Sequence, residues 1–150
     1  MKLGFIGCGN MASAIMSGII SNGLIQAEEI IGADVFAPSK EKAKETLGIQ
    51  IADSNKEVVQ KADAFVLSIK PQFYAQVISE IKDYVKENQI VITLAPGKTI
   101  KWLEEQFGKP VKIVRTMPNT PAMVGEGMTA VCYGSENFTL EEKELVTGLF

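Results

Sequence analysis

The chain of 150 residues contains no histidine. That absence removes the commonest metal ligand, the usual base of a nucleophilic triad and the one side chain that ordinarily titrates near neutrality. Zinc and serine hydrolases drop out and no metal site is expected. Proton transfer has to come from a carboxylate, Lys, Tyr, Thr, water, the substrate or residues outside these 150. Cysteine is scarce: Cys8 and Cys132 lie far apart without paired spacing, which suits two buried thiols in a reducing compartment and no disulfide framework. Positive charge is not in excess, with 15 Lys plus Arg against 18 Asp plus Glu and a net charge of −3, so neither nucleic acid nor an anionic membrane is an expected partner. Apolar runs such as residues 90–94 fall far short of the roughly 20 residues that span a bilayer. At the start, glycines at 4, 7 and 9 and the polar Asn10 break the apolar stretch that a secretion signal keeps, so a cytoplasmic location is expected. Repeats, low-complexity tracts and flexible linkers are missing as well. What remains, at 46% apolar and 22% charged residues, has the composition of one packed domain.

Apolar runs alternate with helical patterns from end to end, the signature of βαβ units and an α/β, mostly parallel, doubly wound sheet with helices on both faces. Strands are expected at 2–6, 30–35, 49–51, 64–69, 90–94, 111–115 and 128–133. Between them, helical spacing starts at Met11 and ends near Gly23, a charged helix runs from 40 to Gly48, and Ser54-Asn55-Lys56-Glu57 has capping-box spacing. Pro71 suits the first turn of a helix reaching 85 on Phe73, Val77, Ile78, Ile81 and Val85, and Thr99 caps another. Trp102 and the phenylalanines are expected in the core. A last capping box, Thr139-Leu140-Glu141-Glu142, opens a helix whose apolar face is still unfinished at Phe150, so the chain is expected to be a fragment of a longer protein.

Gly7-Cys8-Gly9-Asn10-Met11-Ala12 is G-x-G-x-x-A, set between the first strand and the first helix, the context a dinucleotide fingerprint requires. Gly7 permits the turn, Gly9 lets a pyrophosphate approach the backbone, Ala12 lets helix and strand pack closely, and the helix N-terminus offers N–H groups to the phosphates. Cys8 and Met11 read as packing residues. Asp34 follows Ala12 at about the 20-residue spacing of a carboxylate that holds the adenosine ribose. Ser39, Lys40 and Lys42 follow closely enough to receive a 2′-phosphate instead, so NAD and NADP both stay open, as does a plain solvated turn for Asp34. Ser68-Ile69-Lys70-Pro71 ends the fourth strand at the switch point of the sheet and Ala95-Pro96-Gly97 ends the fifth. Surface-lysine and tight-turn readings compete there. Arg115-Thr116-Met117-Pro118-Asn119-Thr120-Pro121 forms a stiff polar rim of the kind that orients a ligand. Glu126 reads as solvated rather than as an acid catalyst.

Taken together, these segments resemble the pyrroline-5-carboxylate reductase family. The resemblance rests on residues 4–12, Asn55, Ile69-Lys70-Pro71-Gln72, Ala95-Pro96-Gly97 and Met117-Pro118-Asn119-Thr120-Pro121, in order over essentially the whole chain. The first segment is shared with hydroxyisobutyrate and phosphogluconate dehydrogenases, whereas Met-Pro-Asn-Thr-Pro together with Ile-Lys-Pro is far more specific. The resemblance implies a Rossmann-type dinucleotide-binding domain over residues 1–150 that uses NADP(H) or NAD(H) to reduce 1-pyrroline-5-carboxylate to L-proline in proline biosynthesis. It implies that Ile6, Gly7, Cys8, Gly9, Asn10 and Met11 cradle the pyrophosphate, and that Asp34 and Asn55 serve the adenosine. Ile69, Lys70, Pro71, Ala95, Pro96 and Gly97 then line the nicotinamide half, and Met117, Pro118, Asn119 and Thr120 the substrate rim, with no catalytic side chain named.

Two positions differ from the family's habit: Pro96, which has no N–H to donate, stands where Ala is common, and Asp34 where Ser, Asn or Arg is frequent. The family's helical C-terminal domain, which binds the substrate carboxylate and forms the homo-oligomer, has no counterpart before Phe150. The 150 residues alone are therefore expected to bind a dinucleotide and to reduce the imine poorly or not at all. Two other readings stay open: a β-hydroxyacid dehydrogenase-type oxidoreductase, and a non-catalytic dinucleotide-binding regulatory module.

Overall fold

The computed structural model describes residues 2–86, 88–94, 99–109, 111–118 and 129–133, with residues 117–118 and 129–133 described by backbone alone. Strands β1 (Leu3–Ile6), β2 (Ile30–Ala33), β3 (Gln50–Ile51), β4 (Ala64–Leu67), β5 (Ile90–Thr93), β6 (Lys112–Pro118) and β7 (Thr129–Tyr133) form one sheet in the order β3-β2-β1-β4-β5-β6-β7. The first six are parallel and β7 is antiparallel to β6. The order of the parallel six is that of a Rossmann-type doubly wound sheet, with the switch point between β1 and β4. Helices α1 (Asn10–Ser21), α2 (Ala37–Leu47), α3 (Asn55–Lys61), α4 (Tyr74–Ile81) and α5 (Ile100–Phe107) make the connections. No helix among the described residues is long and apolar enough to cross a membrane.

Because side chains alternate along a strand, each central strand feeds two cores. Leu3 and Phe5 of β1, Ala64 and Val66 of β4 and Ile90 and Ile92 of β5 pack under α1 and α2 with Ile15, Met16, Ile19 and Ala43. Ile6, Phe65, Leu67 and Val91 point to the other face, where α3, α4 and α5 contribute Val58, Val59, Ile78, Ile81, Leu103 and Phe107. All four residues of β1, β2, β4 and β5 are buried, as strands covered on both faces should be. Buried polar groups fasten the layers. Gln89 donates to the carbonyls of Val59 (2.7 Å) and Ala62 (2.8 Å), tying the end of α3 to the approach to β5.

Several boundaries differ from the sequence reading, each for a local reason. β2 ends at Ala33 rather than at 35, because the Asp34 carboxylate captures the Phe36 N–H and turns the chain. α2 starts at Ala37, three residues early, with Pro38 in its first turn. The expected helix from Pro71 is three pieces: a 3-10 turn at Pro71–Phe73, α4, and a second 3-10 turn at Lys82–Tyr84. β6 continues to Pro118 because β7 pairs with it as far as the Pro118–Thr129 step, so Met117 and Pro118 belong to a strand, not to the rim loop. The final helix expected from Thr139, and Glu126 before it, lie outside the described residues.

Tyr74, fully buried at the start of α4, donates its hydroxyl to the Leu67 carbonyl at 2.6 Å, with the Thr93 hydroxyl 3.0 Å away. The Thr116 hydroxyl donates to the Thr93 carbonyl at 3.3 Å, so side-chain hydroxyls brace the carboxyl ends of β4 and β5. Tyr74→Phe is expected to keep the fold and lower its stability by about 1–3 kcal/mol, the cost of a buried acceptor losing its donor. Urea unfolding followed by circular dichroism measures it.

Candidate functional site

The register of the three central strands determines the site. Ile6 pairs with Ala33 on one side and with Leu67 on the other, so β1, β2 and β4 end at one level and their next residues, Gly7, Asp34 and Ser68, converge. Gly7 has φ +101° and donates its N–H to the Ala33 carbonyl at 2.7 Å. A Cβ there would lie 2.3 Å from the Ser68 carbonyl oxygen, so both the backbone angle and the available space demand glycine. Ser68 returns the contact, its hydroxyl donating to the Gly7 carbonyl at 2.7 Å. Asp34 closes the third side: one carboxylate oxygen accepts the Cys8 N–H at 2.8 Å and the other the Phe36 N–H at 2.9 Å.

Cys8 is turned inward. It is 2% exposed, and its Sγ lies 3.6 Å from the Ala33 carbonyl. Burial, reinforced by the Asp34 charge and partly offset by Lys40, pushes its thiol up to about 12. Its amide is committed to Asp34 and its thiol is inert, which fits the packing reading of its side chain. Gly9 is different. It sits at the N-cap of α1 in ordinary extended geometry (φ −74°, ψ −167°), it has no side chain with which to cap the helix, and a Cβ built on it meets none of the described residues within 4 Å. The fold does not need a glycine here. What its bareness leaves open is the N-terminus of α1, where the N–H groups of Asn10, Met11 and Ala12 precede the first intrahelical bond and the helix dipole is positive.

Two cavities of about 280 Å³ each flank this loop. The first is lined by Ile6, Gly7, Asp34, Val35 and Asn55 from the β1, β2 and α3 segments and by Ile69, Phe73, Gln76, Val77 and Glu80 from the segment after β4. Asn55 opens α3, whose N-cap Ser54 accepts the Glu57 N–H. The second cavity lies over the start of α1 and is lined by Gly9, Asn10, Met11 and Ala12, opposite Ser68, Ile69, Lys70 and Leu94. The candidate residues before 95 thus gather at the carboxyl ends of the central strands, except that Cys8, turned into the core, and Pro71 line neither cavity. Ala95, Pro96, Gly97, Asn119 and Thr120 lie outside the described residues.

Sequence reasoning missed part of the wall. Phe73 and Phe36 were expected in the core, yet Phe73 is 47% exposed at the first cavity, where Val35 is 99% exposed, and Phe36, which lines neither cavity, is 61% exposed. Apolar groups this exposed beside a cavity suit a flat ring better than water. The available signal was position: Phe73 follows Pro71 in the 3-10 turn, and Val35 and Phe36 follow a carboxylate that ends a strand. Ser68 was noted as part of its segment, but not as the hydroxyl that holds the glycine loop.

A family model described as NADP oxidoreductase coenzyme F420-dependent matches residues 2–97. The chain belongs to that family. Among curated relatives, the pyrroline-5-carboxylate reductase of Escherichia coli K12 is 41% identical over 133 residues, 87% of this chain and 48% of that protein. That of Methanosarcina acetivorans is 33% identical over 149 residues, 99% of this chain and 55% of that protein. Among solved structures, the Coxiella burnetii pyrroline-5-carboxylate reductase superposes with a TM-score of 0.92 at 34% identity, covering 99% of this chain and 54% of that one. The Plasmodium falciparum pyrroline carboxylate reductase with NADP bound gives 0.88 at 33% identity, covering 100% and 54%. The chain spans about half the length of the relatives it matches. A 3-hydroxyisobutyrate dehydrogenase of Mycobacterium tuberculosis, at 14% identity and TM-score 0.76, shares the fold.

The Cys8 geometry predicts a pH effect. An unfolded thiol ionises near 9.0 and the folded one near 12, so the folded state binds the extra proton in between. Stability from this group is full below about 9 and falls as pH rises towards about 12. Cys8→Ala is expected to lose less stability over that window than the parent, measured by urea unfolding at stepped pH. In the parent, peptide mapping after iodoacetamide treatment near neutrality should find Cys8 unlabelled until denaturant is added.

Proposed function

We propose that this chain is the dinucleotide-binding half of a pyrroline-5-carboxylate reductase, which reduces 1-pyrroline-5-carboxylate to L-proline at the expense of NADPH or NADH. The observation that carries the reading is the likeness to such reductases over 87–99% of the chain at 33–41% identity. The open helix end at Gly9 fits a pyrophosphate, because no described residue occupies the space that a side chain would fill.

In this reading the N–H groups of Asn10, Met11 and Ala12 hold the phosphates, and Ile6, Gly7, Asp34 and Asn55 form the adenosine side. Ile69 and Lys70, with the 95–97 turn, serve the nicotinamide side, and residues 117–120 the substrate rim. The reduced nicotinamide supplies the hydride for the C=N carbon. The task of this chain is orientation. Ser68 and Asp34 keep the glycine loop in one geometry, and the buried Tyr74 and Thr93 hydroxyls brace the strand ends beneath it. An imine nitrogen basic enough to bind its own proton near neutrality fits the lack of histidine in these 150 residues. A helical part of the kind the family carries supplies the substrate carboxylate site and the homo-oligomer contact, and the enzyme works in the cytoplasm.

Oxidation of NADPH or NADH by the protein on addition of 1-pyrroline-5-carboxylate, with proline as product, tests the proposal. Oxidation of a β-hydroxy acid without imine reduction would replace it with a β-hydroxyacid dehydrogenase. Nucleotide binding with no turnover in the complete protein would leave a regulatory module. Gly9→Val is expected to remain folded and to lose dinucleotide affinity by tenfold or more, roughly the loss of one charge-assisted phosphate contact. Gly7→Ala should instead lower stability by on the order of 1–3 kcal/mol, from backbone strain and the Ser68 contact. Calorimetric titration beside thermal unfolding separates the two.

A further inference from the structure

We infer that the buried hydroxyl of Tyr74, joined to those of Thr93 and Thr116, positions the nicotinamide end of the site, acting through the backbone and touching no ligand itself. The inference rests on the proposed function, in that it takes the second cavity as the nicotinamide side. Leu67 of β4 pairs with Thr93 of β5, and Thr93 with Arg115 of β6, so these three residues close the parallel ladder at one level. Beyond that level β4 runs into Ser68, Ile69 and Lys70 and β5 into Leu94, and all four line the second cavity. At this last rung the Tyr74 hydroxyl donates to the Leu67 carbonyl at 2.6 Å and lies 3.0 Å from the Thr93 hydroxyl, while the Thr116 hydroxyl donates to the Thr93 carbonyl at 3.3 Å. The last backbone carbonyl before the cavity is thus held by a side chain from another segment on each strand, from α4 on β4 and from β6 on β5.

The placement of these hydroxyls is not what packing alone calls for. Tyr74 belongs to the apolar cluster of Val77, Ile78, Ile81 and Leu103, where a phenyl ring would fill the same space and a hydroxyl without a partner would be costly. Thr93 and Thr116, both 0% exposed, are two of the three buried polar residues among the described ones, the third being Gln89 at the opposite end of β5. Buried polarity is therefore concentrated at one level of the sheet, directly beneath one cavity. The glycine loop has its own holders in Ser68 and Asp34, so the phosphate end and the nicotinamide end are braced by different side chains. Hydride transfer needs the ring held to within roughly half an ångström, and a pinned carbonyl at the strand end fixes the direction in which residues 68–70 and Leu94 leave the sheet.

Calorimetric titration with NADPH and with 2′-phospho-ADP-ribose, which lacks only the nicotinamide ring, tests the inference, with NADH and ADP-ribose as a parallel pair. The pair whose dinucleotide binds more tightly is the one compared. In the parent the dinucleotide is expected to bind more tightly than its ring-free counterpart. Tyr74→Phe and Thr93→Val should each shrink that advantage by about three- to tenfold, the scale of one hydrogen bond, and leave affinity for the ring-free ligand within about twofold. Thr93→Ser keeps the hydroxyl and should keep the advantage. A merely structural hydroxyl would lower the unfolding temperature of the variants and leave the advantage unaltered. That result overturns the inference, as does Thr93→Ser behaving like Thr93→Val, or a parent that binds both ligands equally; in each case binding of the ring-free ligand leaves the dinucleotide reading standing. If none of the four ligands binds, that reading falls and the inference with it. Should Tyr74→Phe fail to fold, Thr93→Val against Thr93→Ser decides.

Discussion

Between β1 and β4 the chain approaches itself so closely that a single methyl group at Gly7 would sit 2.3 Å from the Ser68 carbonyl oxygen. The parallel register requires this approach, because Ile6 pairs with Leu67 and with Ala33 at the same level and the three strands release their chains at one point. The loop after β1 has to turn at once, and it does so with a positive φ that only glycine adopts without strain. The Ser68 hydroxyl and the Asp34 carboxylate hold the turned loop from either side. Everything the site offers, the exposed end of α1 and the two cavities beside it, follows from where that turn delivers the chain.

The same junction divides the labour of its residues. Gly7 serves the fold, Gly9 leaves space, and Cys8 between them is turned into the core with its amide committed. Packing thus gives way to open space within three successive residues. The motif's regularity reflects two superposed constraints, one from the β1–β4 contact and one from the open helix end. Apolar groups at the cavity mouth add a third property. Val35 and Phe73 stay exposed in a wall that also carries Asp34 and Glu80, so apolar and acidic groups share it.

Legibility in the sequence followed the range of each interaction. The strand, turn and helix of residues 3–21 are local, and spacing alone placed them. The short third strand, the Ser54 and Thr99 caps and the buried central strands were legible for the same reason. Phe73 was not: its spacing from Val77 and Ile81 matches the buried stripe of α4, and a wall facing a cavity carries the same apolar signature as one facing a core. The start of α2 was misplaced because the chain reversal at Asp34 depends on a hydrogen bond and not on periodicity.

By itself the sequence determined the alternation of strands and helices, the two-sided burial of the central strands and the position of the glycine-rich turn, since each depends on patterns within about one helix length. It also carried the family likeness. Only the tertiary structure decided that Asp34, 26 positions beyond Cys8, accepts its amide, that Ser68, 61 beyond Gly7, holds its carbonyl, and that Lys42 faces a different groove. Those contacts depend on which strands are neighbours and in what register. Neighbourhood and register come from the packing of two cores at once, a property no local stretch of residues encodes.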